Sequence, residues 1–188
     1  MPILGIMASQ ISGHLWSPEG AYDALATVTV GSGGVASVSF VGIPSGYKHL
    51  QLRFLGRDNR ASTLDTILMR FNSDTGSNYR IHYLAGDGSS ASAGGFAGTG
   101  IEVYRITGSS ATASIFGAGV VDILDYTSTT KNKTTRSLAG ADLNGSGEVV
   151  FGSGLWYATP AAITSVTLTP TNGSLFSEYS SFALYGVR

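Results

Sequence analysis

From Tyr22 onward, apolar and polar residues alternate with a period of two, the signature of half-buried β-strands. In residues 22–30, Ala26, Val28 and Val30 alternate with Thr27 and Thr29. The turn-forming GSGG at 31–34 follows, then residues 35–41 with Ala36, Val38 and Phe40 on one face, a pattern that predicts a local hairpin. Leu50, Leu52 and Phe54 share a face in residues 47–57, and Ile67, Met69 and Phe71 share one in 65–72. Residues 79–86, 101–107, 114–126, 133–143, 147–157, 163–170 and 181–187 read as further strands. The segment 87–100, DGSSASAGGFAGTG, has little apolar volume and is expected to be a long loop anchored by Phe96. No segment carries a helical period. About eleven short strands separated by turn signals predict a jelly-roll-like two-sheet β-sandwich of about 8–11 strands. Its expected core is Val28, Val38, Leu50, Leu52, Phe54, Ile67, Met69, Phe71, Val166, Leu168, Phe182 and Leu184.

Residues 1–20 break the pattern. Ile3, Leu4, Ile6 and Met7 open the chain, small polar residues follow, and Pro18, Glu19 and Gly20 close the stretch. Twenty residues bury no core of their own, so the division is an extended N-terminal arm, 1–20, and a sandwich domain, 21–188. The apolar start needs a surface to lie on, which makes Ile3, Leu4, Ile6 and Met7 the expected anchoring residues. With no basic stretch ahead of it, the start is not expected to act as a secretory signal.

Composition narrows the partners. With 188 residues, one sizeable domain is expected. Charged residues are only 12%, and 11 Lys plus Arg against 12 Asp plus Glu leave a net charge of −1. That balance argues against electrostatic nucleic-acid binding. No run approaches the roughly 18 apolar residues of a membrane span. A surface so poor in charge fits a protein that spends its life against partners. The chain has no Cys, which removes disulfides, thiolate metal sites and Cys nucleophiles together.

Candidate chemistry is sparse. His14, His49 and His82 show neither a metal-ligand spacing nor a neighbouring nucleophile. Asp122 and Asp125 pair with nothing in the pattern, and surface roles are expected for them. Asp142, Asn144, Ser146 and Gly147, followed by Glu148, have the spacing of a calcium loop. The acid expected at position twelve is instead Ser153, and Asn144-Gly145 is a strong turn dipeptide, so a hairpin turn is favoured over a cation. Arg53, Arg57 and Arg60 could grip an acidic partner, but Asp58 and Asp65 lie close enough to neutralise them. Tyr79, Tyr83, Tyr104, Trp156 and Tyr157 could stack on sugars, but aromatics in a sandwich are core or interface residues first. The expectation is a non-enzymatic protein with no metal, cofactor or catalytic site.

Several stretches carry a resemblance. Residues 27–53 (TVTVGSGGVASVSFVGIPSGYKHLQLR), 68–79, 120–140, 152–170 and 182–187 resemble a family of small virion structural proteins of tailed bacteriophages. Residues 3–13 resemble the short leader that precedes the same domain there. The resemblance covers nearly the whole chain and contains no catalytic motif. It implies a structural component of a phage particle: a capsid decoration (cement) protein, or a tail fibre or tail-associated protein involved in host attachment. The chain has no shaft-forming repeat and begins with an apolar arm, which favours decoration of the outer surface of the particle. The implied partners are the major capsid protein or another virion structural protein, together with further copies of the chain, a trimer by analogy. A carbohydrate-binding module is the third reading.

Overall fold

A computed structural model describes residues 21–158 and 160–188. The expected arm, with Ile3, Leu4, Ile6, Met7 and His14, lies outside the described residues. Twelve strands form: β1 (Tyr22–Thr29), β2 (Val38–Val41), β3 (His49–Gly56), β4 (Leu64–Phe71), β5 (Tyr79–Gly86), β6 (Ala91–Gly98), β7 (Ile101–Thr107), β8 (Gly117–Ile123), β9 (Lys133–Asp142), β10 (Gly147–Trp156), β11 (Ser165–Pro170) and β12 (Ser181–Val187). Among the described residues there is no helix.

The pairing is that of a jelly roll. β1 pairs with β12, β2 with β11, β3 with β8 and β4 with β7, all antiparallel and nested one inside the next. Rolling this doubled ribbon gives two four-stranded layers, β1-β12-β3-β8 and β2-β11-β4-β7, with the two Greek keys that define the fold. Two hairpins are inserted into it, β5–β6 between β4 and β7, and β9–β10 between β8 and β11. They join along β10–β5 and extend the first layer to eight strands, β1-β12-β3-β8-β9-β10-β5-β6. The second layer keeps four strands, and its edge strand β7 packs against β9 and β10.

Side-chain alternation places the core between the layers. Of the twelve expected core residues, eleven are buried and Val28 is half-buried against the others. Phe54 stacks on Phe182 with ring centroids 6.4 Å apart, and Phe176 tilts onto Phe182 at 4.8 Å. A second cluster, Phe71, Tyr79 and Trp156, ties the inserted hairpins to β4; Tyr79 and Trp156 sit opposite each other in the β5–β10 register. Gly119, on β8, lies directly beneath the Phe54 ring and beside Ala139, so a side chain there would occupy space already filled.

Two expectations are corrected. The stretches 22–30 and 35–41 are not a hairpin. The glycine turn does form, with Gly34 N–H donating to Gly31 at 3.2 Å, but the chain leaves it into the opposite layer. Val30 bonds with Tyr179 and Ser180, and Val35 with Phe176, so both flanks find partners in the C-terminal part of the chain. Residues 87–100 are not one long loop, because β6 runs through them as the outermost strand of the wide sheet. An edge strand holds on by backbone bonds and needs no core volume. Its Gly94 and Gly95 leave room for the Tyr83 and His82 side chains of β5. β6 is the strand that raises the number from eleven to twelve.

Replacing Phe54 by Ala should cost about 3–5 kcal/mol through lost burial and the cavity left against Phe182. Urea unfolding of the variant measures it, and a loss below about 1 kcal/mol would remove Phe54 from the core.

Candidate interaction surface

Among the described residues, no layer packs on the outer face of the wide sheet. In residues 149–151 of β10, Val150 points into the core, so Val149 and Phe151 must point out. The registers align their neighbours into rows that cross the strands. One row runs Val120, Leu138, Phe151, Leu84 from β8 through β9 and β10 to β5. The next runs Leu55, Ala118, Gly140, Val149, Gly86 from β3 to β5. Leu55, Leu84, Leu138, Val149 and Phe151 are 42–58% exposed, a concentration of large apolar side chains in one place. Shallow grooves run between them. One of about 450 Å³ lies over Gly119 and Gly140, walled by Val120, Leu138 and Val149. Another of about 430 Å³ lies between Phe151, Leu84 and Arg136. Contiguous apolar surface with this relief marks a place of contact.

A polar row borders it. Arg53 ends the Leu138 row on β3, opposite Val120, and its guanidinium lies over the rings of Tyr22 (5.1 Å) and Tyr185 (4.7 Å) and reaches toward the polar row. Arg53 Nε donates to Gln51 Oε1 and Gln51 Nε2 to Asp122 Oδ1, both at 2.8 Å. Arg136 approaches Asp122 Oδ2 at 3.4 Å while remaining 68% exposed, so its charge is available to a neighbour. Ser153 and His82 continue this row across β10 and β5. An apolar centre with a polar rim of both signs is the anatomy of a protein–protein interface.

The other candidate residues are dispersed. His49 Nδ1 accepts the Asp125 backbone N–H at 3.0 Å, and Asp125 is bound by Lys48 and Lys131, whose ammonium groups hold its carboxyl down to about 2. Asp142 Oδ1 accepts the Asn144 N–H at 2.9 Å inside a tight turn, with Asn144 and Gly145 both at positive φ. Glu148 turns away from that turn and pairs with Arg105. The three arginines separate: Arg57 donates to the carbonyls of Ser109, Ala111, Thr112 and Ile115, and Arg60 to Asp65 and Leu64. Tyr79, Tyr104 and Trp156 are buried and Tyr83 is half-buried, while Tyr157 stays at the surface under the Arg80 guanidinium. Among the described residues no three His, Asp or Glu are placed to share a metal.

The proximity of Asp58 and Asp65 to the arginines was legible in the sequence, but their burial together was not. Asp58 and Asp65 are both fully buried, and their carboxyls are pushed in opposite directions, as expected of two acids that share one proton. Asp65 accepts from Arg60 (3.0 Å), the Asn172 amide (2.7 Å) and the backbone N–H groups of Asn172 and Gly173, which makes it the ionised member. Asp58 accepts only the Arg60 N–H, and its other oxygen has no donor, which suits a protonated carboxyl. Burial, then the bond to Asp65, push Asp58 up to about 7. Burial acts upward on Asp65 too, but the proton of Asp58 and the Asn172 and Gly173 donors outweigh it and hold Asp65 down to about 2. The pair lies out of reach of solvent, so its role is in stability.

The sign follows from proton counts. Asp58 binds its proton more tightly folded than unfolded, so its contribution is complete below about pH 4 and is lost as the pH rises toward 7. Asp65 contributes above about pH 4 and fails as the pH falls toward 2. Thermal melts should therefore show lower stability at pH 8 than at pH 5. Asp58→Asn keeps the acceptor and supplies a permanent donor, and should raise the pH 8 melting temperature toward the pH 5 value. A wild-type melting temperature unchanged from pH 5 to 8 would contradict the shared proton.

No family model, curated protein or solved structure matches the chain.

Proposed function

We propose that the protein is a non-enzymatic structural component of a tailed-phage particle, a decoration protein that attaches to the outside of the shell. The observation that carries this reading is the exposed apolar face centred on Leu138 and Phe151, since such a surface is suited to permanent contact and to no chemistry. The phage setting rests on the sequence resemblance of the strands and of residues 3–13. In this reading, two kinds of contact divide the work. The arm, with Ile3, Leu4, Ile6 and Met7, binds the shell protein, and the domain faces its neighbours. Repetition over a symmetric shell turns modest single contacts into firm attachment.

Copy number tests the setting. Particles purified from the phage that encodes the chain should contain hundreds of copies by stained gel; tens or fewer would move the protein to the tail. Deleting Met1–Gly13 should leave a folded β domain that no longer binds particles. Full occupancy by the truncated protein would remove the arm as the anchor.

A further inference from the structure

We propose that the outer face of the wide sheet binds the same face of a second copy of this chain, around a two-fold axis that runs along the strands between β9 and β10. The inference stands on the geometry of the face and holds whatever particle or assembly the protein joins.

Size is the first argument. Under this rotation six strands, β3 to β6 across the sheet, lie over the second copy, and β12 and β1 extend past it. Six strands about 4.8 Å apart, each about seven residues of about 3.3 Å, present on the order of 670 Å². Stable interfaces bury roughly 600–1,000 Å² on each partner, so the overlap reaches that range.

Self-complementarity is the second. Rotation about that axis lays β9 over β10 of the second copy and β8 over its β5, and it keeps each cross-strand row opposite itself. Leu138 then faces Phe151 of the second copy, and Val120 faces Leu84. Gly140, which leaves a gap in the groove floor, faces Val149. On the rim, Asp122 faces His82, and Arg136 faces Ser153. Apolar meets apolar, a side chain meets a gap, and no two like charges meet. A two-fold running across the strands does the opposite, because it sets the Asp122–Arg136 row over the Leu55–Val149 row and strands two charges on apolar surface. Two sheets related by the first axis keep nearly parallel strands, and the twist of each gives the aligned packing usual for sandwiches. The pairing would supply a layer that the described residues do not place on the outer face.

Sedimentation equilibrium on the purified full-length chain tests this without any particle, so its outcome is separate from that of the virion reading. The expected result is a mass of twice 19.4 kDa. Phe151→Asp, and independently Leu84→Lys on a different strand, should each weaken the dimer at least about 30-fold while leaving circular dichroism and melting temperature near wild type. The axis is tested by thiol cross-linking, which the absence of native Cys makes clean. Facing sheets lie about 10 Å apart, whereas Val120 and its own copy are offset by three further strand spacings of about 4.8 Å. Val120→Cys protein mixed with Leu84→Cys protein should therefore be trapped as a covalent dimer by a short bismaleimide of about 8 Å, far more than either variant alone. A monomer, a trimer, a dimer indifferent to both charge substitutions, or equal trapping in the unmixed samples would each overturn the proposal.

Discussion

The architecture turns on a mismatch of widths. A jelly roll balances two four-stranded layers, each covering the other's inner face. Here the hairpins β5–β6 and β9–β10 widen one layer to eight strands while the other stays at four. Strand alternation cannot be switched off over the added half: every residue that points inward obliges its neighbours to point outward. On the inner side, β7 and the Tyr79–Trp156 stack cover much of the excess. On the outer side, β9 and β10 carry Leu138, Val149 and Phe151 where a solvated strand would carry polar groups. The candidate surface is thus a product of the insertions, and the roll beneath them supplies its support.

Much of this was legible in the sequence, for a physical reason. Where a strand has one dry and one wet face, a period of two writes the orientation directly, and in β3, β4, β11 and β12 the register follows from Leu52, Ile67, Leu168 and Phe182 alone. Pairing is another matter. Residues 22–30 and 35–41 carry a genuine glycine turn between them, but a local turn does not oblige its flanks to pair when longer-range partners bury more. β6 escaped because an edge strand of Ala, Ser and Gly is held by backbone bonds, and side-chain patterns do not report those.

The outer face did leave a trace. Val120-Val121, Phe54-Leu55 and Val149-Val150-Phe151 are apolar on consecutive residues, and a strand apolar on both sides is one with something to meet on both sides. The core side of each strand carries the stronger alternation and masks that trace. Asp65 was legible as a partner for the arginines, and Arg60 takes that role, but its joint burial with Asp58 left no trace, because that depends on Asn172 and Gly173, more than a hundred positions away. The same holds for Arg57 and for Lys133, whose ammonium closes a loop through the carbonyls of Ser128 and Lys131. Charge is spent inside the molecule as well as outside.

The nesting of the ribbon also sets a timetable. β12 lies between β1 and β3 in the wide sheet, so it is the inner partner of strands that leave the ribosome far earlier. With synthesis at roughly 5–20 residues per second, the roughly 150 residues between β1 and β12 take roughly 8–30 s. During that interval the edge of β3 is unpaired and β1 has no neighbour at all. Closure waits for β12 and is dominated by distant contacts, which places it among the slow folders. A nascent chain waiting with open strand edges is exposed to pairing with a sister chain on the same message, so crowded polysomes are where this fold is most easily lost.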